Sequence, residues 1–89
     1  MKIHDLKIDP EYFNAVRFGR KTFEVRKNDR NYEVGDCINL QEYDRNSDLY
    51  TGRTLNVQIN YILDNQEFLR EGYVVLGIFG EYLSRKVNK

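Results

Sequence analysis

The densest chemistry in the chain lies in GRKTFEVRKNDR, residues 19–30, where Lys21, Thr22, Glu24, Arg26, Lys27, Asn28 and Arg30 crowd around two core-type side chains. Cations set beside hydrogen-bonding side chains suit phosphate recognition: lysine and arginine neutralise backbone charge, while Thr22 and Asn28 add directional contacts. Tyr32, Tyr43 and Tyr50 then offer faces on which unpaired bases stack. A second chemistry is available to Lys21 and Glu24. A lysine held among other cations serves as base or nucleophile, and a nearby carboxylate moves protons. Positions 21 and 24 face opposite sides of an ideal strand, so this pairing needs a twist or bulge at the Gly19 end. The plainest alternative is a solvated strand carrying surface ion pairs worth up to about 1 kcal/mol each.

The chain has fourteen basic and fourteen acidic residues, a balance that argues against a general nucleic-acid coat protein. The distribution is uneven. Between Arg17 and Arg30, six cations meet only Glu24 and Asp29, which leaves the remainder acidic. A purely structural surface intersperses the two signs, so this surplus favours a ligand. If those cations serve a ligand alone, truncating Lys21 or Arg26 weakens binding to single-stranded RNA and leaves thermal unfolding nearly unchanged.

Other candidate centres are thin. His4 is the sole histidine, on the apolar parity of its strand, and reads as a core-edge imidazole bonded to a backbone carbonyl, with a cleft-lining polar contact as the alternative. One His and one Cys without clustered carboxylates do not make a metal site, and no glycine-rich phosphate loop is present. Neither a metal nor a cofactor is expected. Cys37 reads as a small apolar residue.

These side chains need elements to hold them. HDLKI alternates as a strand over 2–8. Asp9, Pro10 and Glu11 form a helix start, with the Asp9 carboxylate as the cap, and Gly19 is the left-handed stop of a helix over 10–18 that buries Tyr12, Phe13 and Val16. Residues 21–27 return to period two, with Phe23 and Val25 inward and Thr22, Glu24 and Arg26 outward. A strand over 37–43 follows, then a ten-residue polar connection. Leu55, Val57, Ile59, Tyr61 and Leu63 alternate as one buried face. DNQEFLREG has room for a helical turn, and YVVLGIF, apolar on both faces, reads as a central strand. The expected fold is mostly β (α+β), a small barrel of five or six strands with one helix between the first two.

Eighty-nine residues make one domain, 1–89, with a core over about 1–79 and a tail over 80–89. The lone cysteine and the lack of a long apolar run point to a cytoplasmic protein without a membrane segment. The two-sided strand after Tyr73 leaves the oligomeric state open, with a monomer the simpler expectation.

The order of motifs, HDLKI, a helix ending at Gly19, GRKTFEVRKNDR, YEVGD, YTGR and GYVVLGI, resembles the small bacterial and phage branch of the ASCH domains in the PUA-like superfamily, over residues 1–79. Its specific part is G-x-K-x-x-E-x-R, here Gly19, Lys21, Glu24 and Arg26. The resemblance implies a PUA-like β-barrel with a cleft beside the helix, lined by Lys21, Glu24 and Arg26, that takes RNA or a nucleotide-like ligand. A related branch with the same GRKT start hydrolyses the amide of N4-acetylcytidine with the motif lysine, a threonine three residues on and a later glutamate. This chain has Glu24 at the threonine position and only Glu67 or Glu71 for the glutamate. A protein-interaction module is the remaining alternative.

Overall fold

The structure is a computed structural model and describes residues 1–80. The chain runs β1 (Ile3–Ile8), α1 (Pro10–Arg17), β2 (Phe23–Lys27), β3 (Cys37–Asp44), β4 (Leu49–Leu63) and β5 (Tyr73–Gly80). The expected tail, apart from Gly80, lies outside the described residues. The strands form one sheet in the order β1-β3-β4-β5-β2, with β1 parallel to β3 and every other pair antiparallel. The sheet curls around a core that includes Phe13 and Val16 of the helix with Ile38, Leu40, Ile59 and Leu76. The architecture is the expected one, mostly β with a single helix between the first two strands, in the shape of a small PUA-like barrel.

One side of the curl is open. β1 and β2 are the two edge strands. Across the gap the guanidinium of Arg26 donates from Nη2 to the Lys7 carbonyl at 2.8 Å, where a ladder bond would otherwise close the barrel. Helix α1 connects these edges, and its ends are set differently. At the C-terminus the Gly19 amide donates to Val16 and the Arg20 amide to Ala15, a Schellman closure that the glycine's φ of 80° permits. At the N-terminus the Asp9 carboxylate does not cap; it accepts from Nε of Arg45 at 2.8 Å.

Several expected faces are inverted. Phe23 and Val25 point outward and are 44% and 52% exposed, while Glu24 is buried. β2 is an edge whose inner face lines the mouth of the curl, where Glu24 finds two cations, and this outweighs the apolar preference of its neighbours. Tyr12 is also exposed instead of joining Phe13 and Val16. In β4 the register shifts between Ile59 and Tyr61, so Asn60 is the extra residue of a bulge. Parity flips there, which turns Tyr61 out to 66% exposure and packs Ile62 against the core. The polar connection before β4 is far shorter than expected, since β3 and β4 extend to a tight hairpin turn at residues 45–48. Residues 64–72 form turns without a helix.

A second shift lies between Gln41 and Tyr43, where Thr51, Gly52 and Arg53 stand opposite Glu42 alone. Gly52 takes a φ of 95° to make this possible. The bulge brings Thr51 and Arg53 onto the buried Glu42 carboxylate, and Arg53 binds both of its oxygens at 2.8 Å. Arg53, chiefly, with Thr51 holds the Glu42 carboxyl below its usual range against the opposing effect of burial.

His4 makes a different contact from the one expected. Its Nε2 lies 2.9 Å from Oδ2 of Asp36, both groups being buried, and its ring meets Tyr32 edge-on at 4.8 Å. Asp36 also accepts the Lys2 and Glu33 amides, each at 3.0 Å. The His4 hydrogen bond first, with those amides, lowers the Asp36 carboxyl from 3.8 to about 2 despite desolvation. A depressed carboxyl contributes stability that is present above its unfolded value and lost as pH falls through its folded one. Thermal melts stepped from pH 5 to pH 2 therefore show the midpoint dropping, and Asp36→Asn flattens that drop. An identical pH profile in the variant contradicts this.

Candidate functional site

A cleft of about 390 Å³ opens where the edge strands part. Ile8 of β1, Tyr12 of α1 and the outward-facing Val25 of β2 line it. Around them lie four cations, Lys7, Lys21, Arg26 and Arg45, and two carboxylates, Asp9 and Glu24. Each carboxylate is already engaged. Asp9 holds Arg45, and Glu24 holds Lys21 and Arg26.

Lys21, Glu24 and Arg26 therefore do converge. Lys21 precedes β2, so strand alternation does not govern it: its amide returns to Ala15 of the helix, and its ammonium turns back to the Phe23 carbonyl at 2.7 Å and to Oε2 of Glu24. Arg26 donates to Oε1 of Glu24 from Nε at 3.0 Å and from Nη2 at 2.8 Å. The Gly19 turn thus does what a strand twist was expected to do. Both oxygens of the buried carboxylate are saturated by cations, and the two cationic groups are fixed at the cleft wall.

The other four residues of the cluster do not line this cleft. Thr22 is exposed and accepts the Ile78 amide through its backbone. Lys27 is exposed at the far end of β2. Asn28 is held by its own amide to Gly72, and Arg30 lies near Asp29 at 3.7 Å on the surface. Tyr32 is buried against His4, and burial above all raises its phenol; it offers no open stacking face. In its place stands Tyr12, nearly half exposed, with the Lys21 ammonium 5.6 Å from its ring centroid.

Lys7, Asp9, Tyr12 and Arg45 join the site from β1, the helix start and the hairpin turn. Lys7 and Arg45 are far from the motif in sequence, and only the parallel β1–β3 pairing brings them to it. The one available signal was the outward parity of Lys7 at the end of β1. Among the described residues no cluster of three or more His, Cys, Asp or Glu is placed to hold a metal, and no helix is long and apolar enough to cross a membrane.

The fold is similar to that of the crystal structure of hypothetical protein PH0355, with a TM-score of 0.61 over 90% of this chain and 99% of that one at 19% identity. At that identity the likeness speaks to fold alone. The chain is 38% identical over 87 residues to an uncharacterized 12.9 kDa protein in the GpA 3′ region of Escherichia phage P2, covering 98% of this chain and 78% of the relative. A family model described as a domain of unknown function, DUF3850, matches residues 3–78, which span every element that builds the cleft, and the chain belongs to that family.

Proposed function

We propose that this chain binds a nucleotide-like anion, single-stranded RNA foremost, in the cleft between β1 and β2, in the manner implied by its resemblance to the ASCH, PUA-like domains. The observation that carries the reading is the surplus of cations over carboxylates in a cleft whose carboxylates are both already paired. Lys7 makes no ion pair among the described residues, its ammonium resting 4.2 Å from the centroid of Tyr43. Arg26 is clamped by Glu24 and the Lys7 carbonyl, so a ligand meets a guanidinium whose rotamer entropy is already lost. Tyr12, Ile8 and Val25 supply an apolar bed for a base.

A hydrolytic reading draws on a single feature, the contact of the Lys21 ammonium with Glu24 inside the cleft. With both Glu24 oxygens accepting from cations, neither is offered to a substrate proton, which favours binding over catalysis. Turnover of N4-acetylcytidine that Lys21→Ala abolishes would reverse that preference.

Lys7→Gln tests the binding reading without touching the Glu24 cluster. Titration of short single-stranded RNA followed by amide NMR shifts gives weaker binding for the variant and a salt dependence shallower by about 0.7 in log–log slope. The thermal midpoint is unaffected, as for a surface change worth less than about 0.5 kcal/mol. Shifts absent from the cleft, or equal affinities and slopes, would remove the proposal.

A further inference from the structure

A second concavity of about 370 Å³ adjoins the first and shares Lys7, Asp9 and Arg45 with it. Each alone is at the lower end of the roughly 300–1,000 Å³ that ligand clefts span. The two meet at the C-terminal end of β1, one on the gap beside β2 and the other on the face carrying Tyr43. We infer that the ligand is at least two nucleotides long and bends around this end of β1, one base in the gap cleft, the linking phosphate at Lys7 and Arg45, and the second base against Tyr43 and Tyr50. This rests on the binding reading above and adds the length and path of its ligand.

Lys7 and Arg45 belong to both concavities, so they stand where a phosphodiester joining two nucleosides must pass. Their partners there are the Asp9 carboxylate, which Arg45 neutralises, and aromatic faces: the Lys7 ammonium is 4.2 Å from the Tyr43 centroid and 5.7 Å from that of Tyr50. The two tyrosines pack edge-to-face at 5.0 Å, which fixes both rings, and Tyr50 is 53% exposed. A rigid, half-exposed aromatic next to an ammonium is a stacking platform that every base can use. The Asp48 carboxylate lines the same hollow, with Oδ1 accepting from the Tyr43 hydroxyl.

The test compares AMP with the 5′-phosphorylated dinucleotide pApA on the wild-type chain and on Tyr50→Leu, by calorimetry and by amide NMR shifts. The dinucleotide binds about tenfold more tightly than AMP or better, as one added stacked base provides. It shifts amides in residues 43–50 that AMP leaves in place. Tyr50→Leu removes the gain and keeps AMP affinity, and the AMP arm shows that the variant is folded. Equal affinities for the two ligands, or a pApA gain that survives in Tyr50→Leu with the 43–50 amides unmoved, overturn the inference while the binding reading stands. Failure of both ligands to bind brings down both.

Discussion

Arg26→Ala unfolds at a midpoint lowered by more than about 10 °C, because it leaves the buried Glu24 carboxylate with Lys21 as its one remaining cation. Removing one partner of a buried ion pair costs about 3 kcal/mol or more, and here, with Lys21 still balancing the charge through Oε2, the loss falls on Oε1, which keeps no donor. The reading from composition, that these cations serve a ligand alone and can be truncated at no cost to stability, fails on the 3% exposure of Glu24. The control is the double substitution Glu24→Gln with Arg26→Gln. It removes the stranded acceptor charge together with its Arg26 donor, Lys21 keeping its bond to the Phe23 carbonyl, and recovers most of the lost midpoint, while binding stays weak because the guanidinium is gone. A double variant no more stable than Arg26→Ala would show that Arg26 stabilises through its bond to the Lys7 carbonyl across the open side, not through Glu24.

This cluster illustrates what the amino-acid pattern carries and what it withholds. Spacing put Glu24 and Arg26 on one strand face but set Lys21 against them; their convergence was implied by the resemblance carried by G-x-K-x-x-E-x-R, with Gly19 marking where the chain turns back. Which face of β2 looks inward was not legible. Alternation fixes that two sets of side chains diverge, and apolarity ordinarily says which set is buried. Here a carboxylate with two cations of its own takes the inner face at the barrel's open side, and Phe23 and Val25 are left outside.

The bulges are a second class of omission. One residue inserted at Asn60 reverses every later side chain of β4, yet the run Leu55 to Leu63 alternates without any mark of the break. The bulge opposite Glu42 does leave a mark in Gly52, since YTGR places the residue able to take a positive φ between the two partners of the buried carboxylate. Strand count, order of elements and the helix with its glycine stop follow from local periodicity and capping. Lys7, Asp9 and Arg45 reach the cleft only through long-range pairing, which no local pattern records.

Glu42 and Arg53 repeat the chemistry of Glu24 and Arg26 away from both of the concavities lined by Lys7, and this gives the sharpest test of which buried pair is functional. Arg53 binds both Glu42 oxygens, reaches Asn14 of the helix at 3.2 Å, and lies 4.7 Å from the Phe13 ring centroid. It ties the β3–β4 hairpin to α1, and neither residue lines either concavity on the nucleotide path. Arg53→Ala therefore strands the Glu42 carboxylate and lowers the midpoint by about 10 °C or more. Measured well below that midpoint, its affinity for single-stranded RNA equals that of the wild type, whereas Arg26→Ala at the same margin below its own midpoint binds at least tenfold more weakly, in line with a lost charge-assisted contact of about 1.5–3 kcal/mol. Equal loss of binding in the two variants would mean that affinity follows global stability, and Arg26 would then be a structural cation like its counterpart.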